Sequence, residues 1–290
     1  MDMPRKHDTT KRTKKRTPPV RASRKGKSIR KKPALSGVAP IPRIPPWNIR
    51  ISRFNPLLDF HPRTHDYTIS PREGESLLDL LLRIKHTQDG SLTFRGSCGY
   101  GGCGTCGIKV HGKPLLACVT QVTDVVDARG GLDIQPLHDT IIKDLVVDEQ
   151  EFFQKLLTVK PWIVPRKNDE RRMHRMGIND VQKMGKTPQC ILCGICDASA
   201  ENQKKGDIGP SAFVKAYRYI HDIRDGNRGR LASLRGAFPI SYSLSAANEC
   251  PREIGPGDRI RELEGEMKKG MEKRTAPMES DKNNQTKRIR

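Results

Sequence analysis

The sequence predicts an α+β fold: a small mixed β-sheet with one helix packed on it, followed by an all-α part. Three observations carry this. From residue 47 to 137, short apolar runs alternate with polar residues between turn signals, the pattern of half-buried strands. Past residue 148 the apolar residues recur at helical spacing instead. The cysteines divide evenly between the parts, with Cys98, Cys103, Cys106 and Cys118 in the first and Cys190, Cys193, Cys196 and Cys250 in the second. A chain of 290 residues suits one large domain or two small ones, and 5% aromatic with 30% charged residues argues against a large core that includes the chain ends.

Residues 1–46 are expected to be a disordered extension. Residues 1–32 carry fourteen Lys and Arg against two Asp, so they supply +12 of the net charge of +21, and a Pro-rich connector from Pro40 to Pro46 follows. Such a tail can hold nucleic acid or an anionic membrane surface, or target the chain. As a mitochondrial transit peptide it is atypical, being Lys-rich, interrupted by Asp2 and Asp8, and lacking an apolar face. No apolar run is long enough for a membrane span, and none has the form of a secretory signal.

Order begins near Trp47. Ile49 and Ile51, then Tyr67 and Ile69, alternate with polar neighbours and mark two strands. Arg72 to Ser76 makes a turn, and Ser76 caps a helix whose apolar face is Leu77, Leu78, Leu80, Leu81 and Ile84. Leu92 and Phe94 read as a strand leading into the first cysteines. Ile108 and Val110 form the next strand, His111-Gly112 turns, Leu115 to Cys118 returns, and Ile134 to Leu137 closes this half with another strand. This is a β-grasp, ferredoxin-like arrangement, assigned to 47–145. In 146–265 a capping-box pattern at Asp148 to Glu151 starts a helix with Phe152, Phe153, Leu156 and Leu157 on one face. Lys167 to Arg175 is a charged connector. Pro210 opens a helix carrying Phe213, Val214, Tyr217, Ile220 and Ile223, and a last helix runs from Asp258 toward Lys269. Residues 266–290 form a charged C-terminal tail.

Cys98, Cys103 and Cys106 have the C-x4-C-x2-C spacing of a plant-type [2Fe–2S] site, and Cys118 follows eleven residues later as the fourth ligand. Three thiolates from one tight loop require the chain to turn sharply and to aim backbone N–H groups at the sulfurs. Gly99, Gly101, Gly102, Gly104 and Gly107 permit both. Cys190, Cys193 and Cys196 keep the C-x2-C-x2-C rhythm of bacterial ferredoxins, and Cys250, followed by Pro251, supplies the distant fourth thiolate of a [4Fe–4S] site. Structural zinc is the alternative on either set. Disulfides belong to small secreted domains and fit a chain without a signal peptide poorly.

Residues 49–265 also resemble the iron–sulfur subunit of succinate dehydrogenase and fumarate reductase. The resemblance rests on Arg53-Phe54-Asn55-Pro56, His65-Asp66-Tyr67-Thr68, Phe94-Arg95-Gly96-Ser97-Cys98 and Lys143-Asp144-Leu145-Val146-Val147-Asp148. It continues through Cys190-Ile191-Leu192-Cys193, Gly209-Pro210, Ala216-Tyr217-Arg218-Tyr219 and Cys250-Pro251. It implies an N-terminal β-grasp [2Fe–2S] domain, an all-α [4Fe–4S] ferredoxin-like domain, and a role passing electrons between the FAD of a flavoprotein subunit and a quinone. It also implies a third cluster, [3Fe–4S], but its ligand positions fall here on Ala200, Ile240 and Ala246, none of which can bind iron. The family's quinone-site tryptophan pair is replaced by the polar stretch Glu201 to Lys205, and its histidine by Ser241. The expected protein is therefore a two-cluster variant, [3Fe–4S] absent, with an altered electron exit.

The resemblance implies no substrate site on this chain, which shows no convincing catalytic acid, base or nucleophile. Its partners would be a flavoprotein subunit and a membrane-anchor subunit or another acceptor, with the basic tail on an anionic membrane surface. Its place would be cytoplasmic and peripheral on the membrane, or alternatively the matrix side of the mitochondrial inner membrane. A different flavoprotein with a thiol/disulfide acceptor is a second reading. The rival from another class is a basic nucleic-acid- or ribosome-binding protein with structural metal sites. Against that rival, the charge lies outside the folded part and is not interleaved with aromatics. His111 and Lys113, beside the first cysteine loop, read as surface residues.

Overall fold

The computed structural model describes residues 46–165, 175–200, 204, 207–238 and 240–275. The expected extension at 1–45, most of the 167–175 connector, most of the 201–205 stretch and the end beyond 275 lie outside the described residues.

β1 (Trp47–Arg53) buries Trp47, Ile49 and Ile51 and exposes Asn48 and Arg50, as its alternation demands. β2 (Arg63–Ile69) pairs with it antiparallel, Tyr67 opposite Ile49. α1 (Leu77–Thr87) starts at a capping box: Asp79 N donates to Ser76 Oγ at 3.2 Å, and Ser76 N donates back to Asp79 Oδ2 at 3.3 Å. Its five apolar residues Leu77, Leu78, Leu80, Leu81 and Ile84 are all buried, each contributing roughly 1.5–3 kcal/mol relative to exposure. β3 (Gly107–Val110) and β4 (Lys113–Leu116) form a hairpin whose two-residue turn places both His111 (φ 49°) and Gly112 (φ 79°) in the left-handed region. After a short α2 (Val122–Val125), β5 (Gly131–Pro136) inserts between β1, to which it is parallel, and β3, to which it is antiparallel. The sheet order is β2-β1-β5-β3-β4.

One expectation for this half needs correction, and one element goes beyond the sequence reading. Leu92 is fully buried, but residues 92–94 do not form a strand. Their backbone groups are taken elsewhere: Leu92 O accepts from Lys85 Nζ at 2.6 Å, Thr93 N donates to Asp144 Oδ2 at 2.8 Å, and Thr93 O accepts from Leu145 N at 3.2 Å. A small hairpin of β6 (Ile141–Lys143) and β7 (Val146–Val147), absent from the sequence reading, presents Asp144 for this purpose with φ 48°.

From α3 (Gln150–Thr158) onward every described element is helical. α3 has no capping box; Asp148 Oδ1 instead accepts from Gln150 N at 2.8 Å. Its apolar residues do not share one buried face either, since Leu156 is buried while Phe153 and Leu157 are exposed. α4 (Ile178–Met184) and a 3-10 turn at Thr187–Gln189 precede α5 (Ile195–Ser199). α6 (Pro210–Ile220) buries Phe213, Val214 and Tyr217 as expected, whereas Ile223 lies past its end. α7 (Arg230–Ser233) follows, and α8 (Pro256–Thr275) outruns the expected end at Lys269.

One core lies between the sheet and α1, and a second gathers Leu156, Phe213, Tyr217, Ile260 and Leu263 from α3, α6 and α8. Ile195 belongs to the first core, with Ile191 and Cys193 packed against it, so the second cysteine motif is seated on the sheet side.

Candidate functional site

The first cysteine motif wraps around its own sulfurs. Gly99, Gly101 and Gly104 have φ of 77°, 73° and 77°, which a side chain would strain, and these turns point N–H groups inward. Gly101 N donates to Cys118 Sγ at 3.2 Å, and Cys98 Sγ accepts from Gly102 N at 3.2 Å and Cys103 N at 3.3 Å. Cys118 thus faces the loop from the end of the β3–β4 hairpin. Cys106 and Cys118 are buried, and Cys98 and Cys103 partly exposed. Hydrogen bonds from the Thr105 hydroxyl and backbone lower the Cys103 thiol to about 6, while burial pushes Cys106 up to about 12. A bound cation displaces the protons that remain on such a set, because it stabilises the thiolate form.

The second motif has a similar construction. Leu192 (φ 57°) and Gly194 (φ 73°) turn the chain so that Cys190, Cys193 and Cys196 line one cavity with Cys250, which reaches it from the turn before α8. Burial raises all three thiols of the 190–196 run, Cys193 to about 11. At Cys190 the neighbouring Lys215 ammonium opposes that rise, and Lys215 Nζ donates to Cys190 O at 3.0 Å. Next to Cys196, the half-buried Asp197 carboxyl is also pushed up by desolvation, against the hydrogen bond that its Oδ2 accepts from Ser211 N at 3.2 Å.

The two motifs abut. A Cβ added to Gly104 would lie 2.9 Å from Cys193 Cβ and 3.0 Å from Ile191 O, and one on Gly107 would meet Cys193 O at 3.4 Å. Among the described residues no group of three or more His, Cys, Asp or Glu side chains is arranged for a single metal ion. A polynuclear cluster asks for a wider arrangement, because its thiolates are shared among two or four irons instead of converging on one ion. Four sulfurs per motif, inward N–H groups on the first and partial burial on both fit iron–sulfur clusters.

Two of the three positions expected to match a third cluster's ligands lie in or against the second core. Ala200 is buried in the second core, Ile240 packs against that core, and Ala246 is half-buried in a 3-10 turn, Ala246–Asn248. The Ser241 hydroxyl donates to the Asp207 carboxylate, and Tyr242 Oη donates to Ile208 O at 3.0 Å. His111 and Lys113 are exposed, with Lys113 Nζ 3.4 Å from Glu249 Oε2. Sequence reasoning passed over three groups that act on the motifs. These are Asp144 behind the first loop, and Asp197 and Lys215 beside the second. Lys215 did leave a signal, a charge directly after Phe213 and Val214 on a helix otherwise rich in apolar residues.

Residues 48–154 match the family described as "2Fe-2S iron-sulfur cluster binding domain". The chain is 31% identical over 226 residues to the succinate dehydrogenase iron-sulfur subunit of Paracoccus denitrificans, covering 75% of this chain and 86% of that one. To the protein of the same name from Coxiella burnetii it is 32% identical over 229 residues, covering 75% and 95%. A chain of the Mycobacterium smegmatis Sdh1 complex in the apo form superposes with a TM-score of 0.68 at 25% identity, covering 81% of this chain and 99% of the other.

Proposed function

The chain belongs to the family of succinate dehydrogenase iron–sulfur subunits, and from that premise we propose that it is the electron carrier of such a complex, using two clusters. Cys98, Cys103, Cys106 and Cys118 hold a [2Fe–2S] cluster in the N-terminal ferredoxin-like domain, and Cys190, Cys193, Cys196 and Cys250 hold a [4Fe–4S] cluster in a helical domain spanning 146–265. The observation that supports this reading is the close approach of Gly104 to Cys193, which puts the loops carrying the two thiol sets against each other. Bound there, the clusters supply one-electron redox chemistry. The protein's part is to fix their separation, to shield Cys106 and Cys196 from water, and to donate N–H groups to the first set.

The partner at the entry side is a flavoprotein subunit, and a membrane-anchor subunit or another acceptor stands at the exit. With Ala200, Ile240 and Ala246 in place of sulfur ligands, electrons leave from the second site. The basic extension docks the assembly onto an anionic membrane surface, each well-placed Lys or Arg adding up to about 1 kcal/mol. Among the described residues no helix is long and apolar enough to cross a membrane. Unchanged binding to anionic liposomes after deletion of residues 1–46 would refute the docking role.

The nucleic-acid reading is not favoured by membership in this family. The electron-transfer reading is tested by combining the full chain with its flavoprotein under anaerobic conditions and adding succinate. Reduced-state EPR signals from both sites are the expected result; protein that contains zinc and stays EPR-silent after succinate addition would sink it.

A further inference from the structure

We propose that Lys215 is a positioning residue for charge, which raises the reduction potential of the second site so that it can serve as the last electron store in the chain. The proposal rests on the reading of Cys190, Cys193, Cys196 and Cys250 as a [4Fe–4S] site. Lys215 lies on α6, a helix otherwise committed to the second core, and its ammonium is drawn inward to the carbonyl of Cys190 at 3.0 Å instead of outward to water. Its side chain is half-buried, so solvent screens it less than a surface lysine.

Two other charged groups stand beside the site. Arg252 lines the same cavity and adds a second positive group. The acidic neighbour Asp197 is half-buried, and its Oδ2 accepts from Ser211 N at 3.2 Å and from the Cys196 thiol at 3.3 Å.

Reduction here is transfer of one electron from the reduced first site to the oxidised second site. No bond forms or breaks, no proton moves, and the second site becomes one charge more negative. A cation held against the Cys190 carbonyl favours the reduced state by Coulomb attraction, which falls only inversely with distance in a partly buried setting. Charge near a cluster is one of the protein's levers on its potential. A site with no third cluster beyond it has to retain the electron until the acceptor arrives, and this lever supplies that retention.

The test is anaerobic redox titration of the full chain, followed by EPR, with iron and sulfide counted on the same samples. Three versions are compared: the natural protein, Lys215→Gln, whose amide can still donate to the Cys190 carbonyl, and Lys215→Arg, which keeps the charge. At a fixed poise the reduced-to-oxidised ratio of the second site should fall on the order of tenfold in Lys215→Gln. That corresponds to about 59 mV for one electron. Lys215→Arg should stay close to the natural protein, and the first site should be unmoved in both. An unchanged midpoint in Lys215→Gln at full iron content would overturn the proposal. Loss of iron in that variant, with retention in Lys215→Arg, would make Lys215 a structural prop and overturn it as well. A natural protein without a [4Fe–4S] signal would instead refute the assignment of the site, an outcome visible before any variant is made.

Discussion

Arg53 is buried at the end of β1 and spends its whole guanidinium on partners from three stretches of chain. Nε donates to Asp144 Oδ1 at 2.9 Å, Nη2 to Ser91 Oγ at 2.8 Å, and Nη1 reaches both Tyr67 Oη, at 2.5 Å, and the Asp89 carboxylate. Asp144 in turn accepts from Phe54 N and Thr93 N, so this network clamps the segment that delivers Cys98. Breaking a buried pair by removing one partner's charge leaves the other uncompensated, at a cost of about 3–5 kcal/mol. Asp144→Asn should therefore lower stability by about 3 kcal/mol in denaturant melts and reduce iron loading of the first site; a change within about 0.5 kcal/mol would contradict the clamp. Burial alone would raise the Asp89 carboxyl, but hydrogen bonds from Ser91, Tyr67 and Arg53 outweigh it and hold the group below the usual carboxylate range. Its stabilisation is thus complete above the unfolded value of about 3.9 and is lost as pH falls through the lower folded value. Melts through the acid range should show stability falling there, with a shallower fall in Asp89→Asn. None of this pairing was legible in the sequence: Arg53 and Asp144 stand 91 residues apart, and no local pattern announces a long-range ion pair. The eight cysteines were legible because ligand spacing is written along the chain.

At the level of elements, Gly104 ties the two motifs together. Its φ of 77° already disfavours any side chain, and a methyl group there would press on Cys193 Cβ at 2.9 Å and Ile191 O at 3.0 Å. Gly104→Ala should destabilise the protein by about 1–3 kcal/mol and slow electron passage between the sites while leaving most of the iron bound. Freeze-quench EPR after a flavoprotein-driven reduction would resolve the second-site signal, and an unaltered rise would show that the contact does not matter. The same scale shows where pattern reading holds. β1, β2, α1, the β3–β4 hairpin and α6 follow period and capping because one face of each is buried in a core. Residues 92–94 broke the rule because Lys85 and Asp144, rather than a neighbouring strand, satisfy their backbone. In α3 the phenylalanine and leucine pairs suggested one apolar face, yet Phe153 and Leu157 look outward, a choice that helix periodicity alone cannot make.

Across the whole molecule, the second cysteine motif rests on the first core, while the helices behind it form the second core. The thiol sets are therefore joined by packing rather than by a linker. All eight cysteines of the chain fall in the two sets, so no cysteine is left over for a third. This makes the number of clusters the central claim, and it can be counted directly. The decisive measurement is iron and acid-labile sulfide per chain on anaerobically purified full-length protein, with EPR of the oxidised and reduced forms. The account predicts about six irons, two reduced-state signals and no oxidised [3Fe–4S] signal. About nine irons with an oxidised [3Fe–4S] signal would contradict it and place a third cluster where this sequence offers no thiolate.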